Sequence, residues 1–362
     1  VLGQPRSGVV RHAEEVLPRA AAALAAQGGR LWVLGPAETP KWLAACAQRS
    51  NGALQLQPAD LGSTPAQRWR REGPAIQALQ SAHSGPWLLH TGHLPLPRGL
   101  PDDLPVTWML HDTRQLDRRL VGPWRALLAH RVYAAAAQRA DAIVVPSRTV
   151  GALLARHSRN AAEKLHVARH GSEHFTPLPR REPQYLLGLG HLEKRKNWEL
   201  LLSVLAQEPR LPTLKLCGHA TSGERERLTA RAAQLGVAGR FEILPPAEES
   251  ELPELFASAA ALVLPSRMEG FGLPVIEAFK AGLPVALARA GALPEIGGPH
   301  ATSFDPDSPA EAAHALLSAL SRGPRELAAA QRYATGFHWD HATRELQRAW
   351  EHAREAHLDT PP

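Results

Sequence analysis

Cysteine is nearly missing: Cys46 and Cys217 are the only two in 362 residues. Two thiols so far apart in sequence build neither a disulfide framework nor a cysteine-based zinc site, and they suit a reducing compartment. Long apolar runs are missing as well. Even Leu120–Ala140 is cut by Arg125 and Arg131, which excludes a membrane-spanning helix needing about 18 or more apolar residues. The first residues carry no apolar core of a signal peptide, so the expected location is cytoplasmic. Aromatics amount to only 5%, and neither zinc-finger spacing nor a glycine-aromatic RNA-binding signature occurs, so nucleic acid is not an expected partner. Lysine is scarce too: six lysines leave arginine to carry nearly all the positive charge.

What remains is globular. A composition of 44% apolar and 21% charged residues excludes disorder and collagen, and the length accommodates two domains of roughly 100–200 residues each. The net charge of +6 conceals an asymmetry: residues 1–180 hold 22 Lys/Arg against 12 Asp/Glu, and residues 181–362 hold 19 against 23. The basic front half favours an anionic partner, either a membrane surface or a phosphorylated acceptor. Within it the segment Arg118–Arg139 mixes Trp124, Leu127, Leu128, Val132 and Tyr133 with Arg118, Arg119, Arg125 and Arg131. It reads either as a helix lying on an anionic bilayer or as an ordinary amphipathic helix packed on a sheet.

Short apolar runs alternate with longer segments of helical period, at Arg30–Gly35, Trp87–Leu89, Thr107–Leu110, Ala142–Val145, Leu186–Leu189, Thr213–Cys217, Arg240–Leu244, Ala261–Leu264 and Pro284–Leu287. Each predicts a buried parallel strand followed by a covering helix, hence an α/β chain of two doubly wound domains. The boundary is expected in 176–183, where three prolines fall in eight residues and prevent a helix.

The most informative stretch begins where the predicted strand Ala261–Leu264 ends. Arg267-Met268-Glu269-Gly270-Phe271-Gly272 forms a loop, Leu273-Pro274 opens a helix, and Gly282 closes it, following the usual placement of proline at a helix start and glycine at its exit. A glycine-bearing loop feeding a helix aims unpaired N–H groups and the positive end of the dipole at an anion, which predicts a diphosphate site. Carboxylates beside a phosphate repel it, so Glu269 and Glu277 are better suited to accept hydrogen bonds from sugar and ribose hydroxyls.

The segment Glu269–Ala278 resembles the E-x7-E signature of retaining glycosyltransferases of the two-domain GT-B type, family 4. Gly188–Leu202, with its Arg195-Lys196-Asn197 string, resembles the start of the family's second domain. Gly218, Arg240–Leu244, Ala292-Leu293-Pro294-Glu295 and Phe337-His338-Trp339-Asp340 follow in family order. In the first half His111-Asp112, Ala140-Asp141-Ala142-Ile143 and His170-Gly171-Ser172 hold corresponding places. The resemblance implies two doubly wound Rossmann-like domains facing a central cleft: an acceptor domain over 1–178, a donor domain over 179–338, and a C-terminal helix within 339–362 crossing back to the first.

It also implies roles. Glu269 would hold donor-sugar hydroxyls, with Gly270 beside it, and Phe271, Gly272 and Leu273 would offer main-chain N–H groups. Glu277 would bind the ribose. Arg195 and Lys196 would neutralise the diphosphate as it departs, although taken alone Glu193–Lys196 reads as a solvated turn. In much of the family an arginine follows the glycine that is here Gly190, whereas this sequence has His191; Arg195 then substitutes for it or the phosphate grip is weaker. His111, at the end of a predicted strand, falls near the transferred sugar in the family and is taken as catalytic in position, its role left open. By count alone it is one of eighteen histidines and reads as structural, as do His90, His93, His170 and His191. His90 and His93 lack a third ligand for zinc, and Asp305-Pro306-Asp307 is read as a structural loop, so neither an obligatory metal nor another cofactor is expected. Gly8-Val9-Val10-Arg11 falls where a family member has its first glycine turn, which makes Ser7 and Gly8 candidate contacts and leaves a first strand short or missing.

The expected reaction is transfer of a hexose, mannose favoured, from a nucleoside diphosphate sugar such as GDP-mannose to a glycan or lipid-linked acceptor of cell-envelope polysaccharide. The enzyme is expected in the cytoplasm, with peripheral membrane association as an option. Two rivals stand beside it: a nucleotide-sugar epimerase or hydrolase on the same architecture, and a non-catalytic nucleotide-sugar-binding subunit.

Overall fold

The computed structural model describes residues 7–36 and 38–358. The chain divides into two compact units, one built from the chain up to His170 together with the segment from Trp339 onward, the other from Gly171–His338. The break thus comes at His170, and the proline-rich stretch 176–183 lies inside the second unit. The place of the first strand, expected to be short or missing, falls on residues outside those described.

In the first unit β1 (Leu31–Gly35) and β2 (Leu54–Pro58) form a parallel pair, and β3 (Leu89–Thr91), β4 (Val106–Met109), β5 (Ala142–Val145) and β6 (Leu165–Val167) form a separate parallel sheet in that order. β4 and β5 are buried at every position, as strands covered on both faces must be. Trp108 on β4 meets Tyr133 edge-on at 5.7 Å within a cluster that includes Ile143, Val145 and Leu154. Burying each such side chain contributes about 1.5–3 kcal/mol, and Trp108→Ala would cost about 3–5 kcal/mol.

Local chemistry sets the helix starts. Ser147 accepts from Val150 N–H at 3.2 Å to begin Arg148–His157, and Thr64 forms a capping box with Gln67 at Pro65–Ala82. Gly8 is the first residue of the helix Gly8–Ala25, capped by Ser7, and is not part of a glycine turn. The segment 118–139 is not one helix either. It breaks at Gly122, whose φ of 85° stops Arg118–Val121 before Pro123–Arg139 begins. The helix Trp339–Leu358 packs on Gly8–Ala25, β4, β5 and β6.

The second unit is a six-stranded parallel sheet. Its strands are β7 (Tyr185–Leu189), β8 (Thr213–Cys217), β9 (Phe241–Leu244), β10 (Ala259–Leu264), β11 (Val285–Ala288) and β12 (Thr302–Phe304), in spatial order β12-β11-β10-β7-β8-β9. The chain runs outward from β7 through β8 to β9, then returns to β10 and proceeds the other way. The order reverses between β7 and β10, which pair as Leu186↔Ala261 and Leu187↔Leu262. In a doubly wound sheet the ligand crevice lies outside the carboxyl ends of the strands at this switch point. β2, β6 and β12 were not expected from sequence: β2 alternates leucine with glutamine, and β6 and β12 have only three residues each.

Candidate active site

Topology brings two distant loops together. From the carboxyl end of β7 the chain passes Gly190 into a short turn Lys194–Lys196 and the helix Trp198–Gln207, and from the end of β10 it passes Glu269 into the helix Leu273–Lys280. Arg267 N–H donates to the Arg195 carbonyl at 2.9 Å, which stitches the loops at their backbones. Lys196 Nζ donates to Glu269 Oε1 at 2.6 Å, and Arg195 Nη1 lies 3.5 Å from Glu269 Oε2 while donating to the Met268 carbonyl at 2.5 Å. Burial by itself would raise the Glu269 pKa. The charges of Lys196 and Arg195 outweigh it and hold the carboxyl at about 2, so it is ionised at neutral pH.

Glycines allow these approaches. A Cβ on Gly291 would lie 2.5 Å from the Glu269 carbonyl oxygen and 2.6 Å from its nitrogen, and Ala292 N–H donates to that same carbonyl at 2.9 Å. The turn after β11 therefore grips the Glu269 backbone directly. A Cβ on Gly218, after β8, would lie 2.1 Å from the Gly190 carbonyl oxygen. Asn197 adopts a left-handed conformation with φ of 58° and donates through Nδ2 to the Pro306 carbonyl at 2.8 Å. Its part in the Arg-Lys-Asn string is thus to turn the chain and anchor it to the loop 305–307. In that loop Asp305 Oδ1 accepts from Asp307 N–H at 2.8 Å and Asp307 pairs with Arg267. Burial lowers the pKa of His191, so it carries no cation to stand in for an arginine.

Gly272, with φ of 103°, precedes Leu273, and Pro274 occupies the first turn of the helix. The first N–H groups of a helix have no intrahelical acceptor. Phe271 is buried and meets Phe337 edge-on at 6.1 Å. Glu277 is buried in the same helix, where His174 Nε2 donates to its Oε1 at 2.8 Å. Sequence reading missed His174, Gly291 and the function of Asn197. A glycine just ahead of Ala292-Leu293-Pro294-Glu295 was the one available signal for Gly291, and nothing local marked His174.

His111 belongs to the first unit, just after β4. Burial, then the proximity of His90, lowers its pKa to about 4, so it is neutral at pH 7. Its ring meets His12 at 5.4 Å, and His12 lies 5.0 Å from His170, which stacks on Trp339 at 5.2 Å. His12, from the helix Gly8–Ala25, is itself pushed well below the ordinary imidazole pKa by burial and by its three histidine neighbours. His90 hydrogen-bonds Thr107 at 2.8 Å, and His93 sits between Thr91 at 3.1 Å and the buried Glu72 at 2.7 Å. The structure thus groups Arg195, Lys196 and Glu269 in the second unit and His12, His111 and His170 in the first.

Residues 172–335 match the family model described as "Glycosyl transferases group 1". This stretch is a glycosyl transferases group 1 domain. It fills almost the whole second unit, and Arg195, Lys196, Glu269 and Glu277 all fall inside it. Among relatives of this group 1 domain, O-antigen chain mannosyltransferase B of Escherichia coli is 34% identical over 175 residues, covering 46% of this chain and 45% of that protein. The chain spans about half the length of the curated relatives it matches. Solved structures match over nearly all of the chain. Sucrose-phosphate synthase from Thermosynechococcus elongatus superposes with a TM-score of 0.73 at 20% identity, over 93% of this chain and 92% of that one. Anabaena HepE, in complex with UDP-glucose, gives 0.71 at 16% identity, over 96% and 97%. The fold is GT-B, with two Rossmann-like domains.

Proposed function

We propose that the chain is a glycosyltransferase that moves a hexose from a nucleoside diphosphate sugar to a hydroxyl of a glycan or lipid-linked acceptor in the synthesis of cell-envelope polysaccharide, with retention at the anomeric carbon. The observation that carries this reading is the clasp of Glu269 by Lys196 and Arg195 at the switch point of the second sheet. A fixed carboxylate there accepts hydrogen bonds from sugar hydroxyls, and the two cations beside it face the negative charge that grows on the departing diphosphate. Charge stabilisation of this kind acts in the transition state. The bond from the anomeric carbon to the diphosphate breaks, the acceptor oxygen takes its place on the same face, and a phosphate oxygen accepts the hydroxyl proton.

On this reading Gly270, Phe271, Gly272 and Leu273 line the donor with main-chain groups, Glu277 receives the ribose, and the first unit takes the acceptor. His111, neutral at pH 7, contributes a hydrogen bond to the sugar and no positive charge. Gly8, now within a helix start, stays a candidate donor contact through its N–H. Arg195 and Lys196 supply the cationic charge that a metal would otherwise bring, so no obligatory metal or other cofactor is proposed. Mannose, carried as GDP-mannose, is the favoured sugar because the relative from Escherichia coli is a mannosyltransferase. A cytoplasmic site of action is in keeping with two free, buried cysteines.

Calorimetric titration with GDP, UDP and ADP tests the donor half. One nucleotide should bind tightly, and Arg195→Ala and Glu277→Ala should each weaken it. Glu269→Ala should abolish transfer to an acceptor. Absence of binding by all three nucleotides would overturn the reading, and donor consumption without any acceptor would favour an epimerase or hydrolase.

A further inference from the structure

Gly92 lies in the first unit, on the loop that leaves β3. β3 and β4 pair in register up to Thr91↔Trp108, so Gly92 and Met109 come side by side where both strands end, just ahead of His111. A Cβ on Gly92 would point at the His111 ring. Its nearest neighbours would be Nε2 of His111 at 3.8 Å, then Cβ and the carbonyl oxygen of Met109 at 3.9 and 4.0 Å. Those are ordinary contact distances, and Gly92 is not one of the glycines with positive φ. Neither backbone conformation nor packing therefore demands a glycine here. Gly92 is exposed and His111 partly so, which leaves the Nε2 edge of the ring uncovered on the side where a longer side chain at position 92 would stand. A glycine in such a place suits close approach by a ligand.

The glycine is held on both sides. Thr91 Oγ1 and His93 Nδ1 are 3.1 Å apart across it, and His93 Nε2 meets Oε2 of Glu72 at 2.7 Å. Glu72 is buried in the helix Pro65–Ala82, and Thr91 is buried as well. The main chain at Gly92 is thereby kept from drifting over the ring, and the ring has its own edge-on neighbour in His12 at 5.4 Å. The chemistry of Nε2 narrows what it can receive. In a neutral imidazole one nitrogen carries a proton and the other a lone pair, whereas a hydroxyl both donates and accepts, so a hydroxyl bonds Nε2 in either tautomer. A metal ion would need further ligands, and no group of three His, Cys, Asp or Glu among the described residues is placed to supply them.

We infer that Gly92 is a specificity-determining residue: by lacking a side chain it keeps Nε2 of His111 open to a hydroxyl of the hexose, and Thr91, His93 and Glu72 hold it in that position. A polar atom set to bond a substrate hydroxyl discriminates against analogues that lack it. The inference rests on the proposed transfer reaction and deepens it, since it names the atom of His111 that the sugar meets.

Gly92→Ala, Gly92→Val and Gly92→Leu in the full chain test it. Transfer, read as kcat/KM for the donor, should fall with the size of the side chain, by about twofold for alanine and by about tenfold to a hundredfold for leucine. Nucleotide affinity by calorimetry should match the parent in all three, because Arg195, Lys196 and Glu277 belong to the second unit. Thermal melts should match as well, and Gly92→Val serves if leucine proves too large for folding. His111→Ala should cost about as much as Gly92→Leu, and the two combined should cost at most about threefold more than either alone. Equal effects of Gly92→Leu with and without His111 overturn the inference, as does transfer by Gly92→Leu at the parental rate. Acylation by diethyl pyrocarbonate reads the same opening without turnover: mapped by mass spectrometry, His111 should be modified in the parent and protected in Gly92→Leu. If the parent transfers no hexose, the transferase reading falls, and the acylation contrast still decides for or against Gly92 as the residue that opens Nε2.

Discussion

Lys196 Nζ and Glu269 Oε1 are 2.6 Å apart, so the cation assigned to the donor's diphosphate and the carboxylate assigned to its sugar neutralise one another. The pairing fixes both side chains before any substrate arrives, and it ties stability to pH. The Glu269 pKa lies at about 2 in the folded chain, against an ordinary value of 4.5. A depressed carboxyl contributes stability that is full above its unfolded pKa and is lost as pH falls through the folded one. Stability should therefore decline between about pH 4.5 and pH 2, by at most about 3 kcal/mol from this group. In Lys196→Met the Glu269 pKa rises back towards its ordinary value, so the acid decline should be smaller and end at higher pH, as read by urea unfolding across that range.

The histidines of the first unit act in a different window. His90 and His111 both have pKa values lowered from 6.5 to about 4, chiefly by burial. The unfolded chain takes up protons near pH 6.5 that the folded chain refuses until about pH 4, so their contribution is full above pH 6.5 and is lost as pH falls towards 4. Proton NMR of the imidazoles should show both titrating well below the exposed histidines. If His111 acts as a neutral hydrogen-bonding group, the acid limb of transfer should likewise lie nearer pH 4 than 6.5.

Glycine substitutions separate backbone grip from ordinary turn strain. Gly28 has φ of 77° and open space around a Cβ, whereas at Gly291 a Cβ meets Glu269 backbone at 2.5 Å. Gly28→Ala should cost only about 1 kcal/mol for the left-handed backbone. Gly291→Ala should cost about 2–4 kcal/mol, and it should also weaken nucleotide binding because the Glu269 main chain must shift. Urea unfolding and calorimetric titration of both variants check the contrast.

His174 is a positioning residue for Glu277. With Oε1 held by the imidazole, the carboxylate would, on the proposed reading, keep one oxygen for a ribose hydroxyl. His174→Ala leaves a buried carboxylate without this donor and should weaken nucleotide affinity by about tenfold, while the rate at saturating donor changes little. His174→Gln restores an N–H donor and should recover most of the affinity. Equal losses in both variants would point to packing alone.

Most of the second sheet was legible because its strands are largely apolar runs, several ending at glycine or proline, as in Leu262-Val263-Leu264-Pro265 and Leu216-Cys217-Gly218; the three-residue β12 was the exception. β2 was not, since Leu54-Gln55-Leu56-Gln57 buries one leucine and leaves the rest partly exposed. Glu269 and Lys196 stood out as motif residues, but their contact spans 73 positions and follows from strand order, which no local pattern encodes. His174 pairs with a residue 103 positions away and sits in a loop with no periodicity to betray its direction. The histidine group around His111 was hidden for the same reason, as it gathers His12 from a helix, His90 from β3, His111 from the end of β4 and His170 from the loop after β6.

The chain leaves the first unit at His170 and re-enters it at Trp339, where the two rings stack. Synthesis proceeds from the amino end, so the ribosome delivers all of the second unit before the helix Trp339–Leu358 that lies on β4, β5 and β6. Domains commonly complete folding in the order they are made. Here the order inverts: the portion made first waits with part of its sheet uncovered, the inserted portion matures ahead of it, and a nascent chain halted before Trp339 would hold a finished second unit beside an unfinished first.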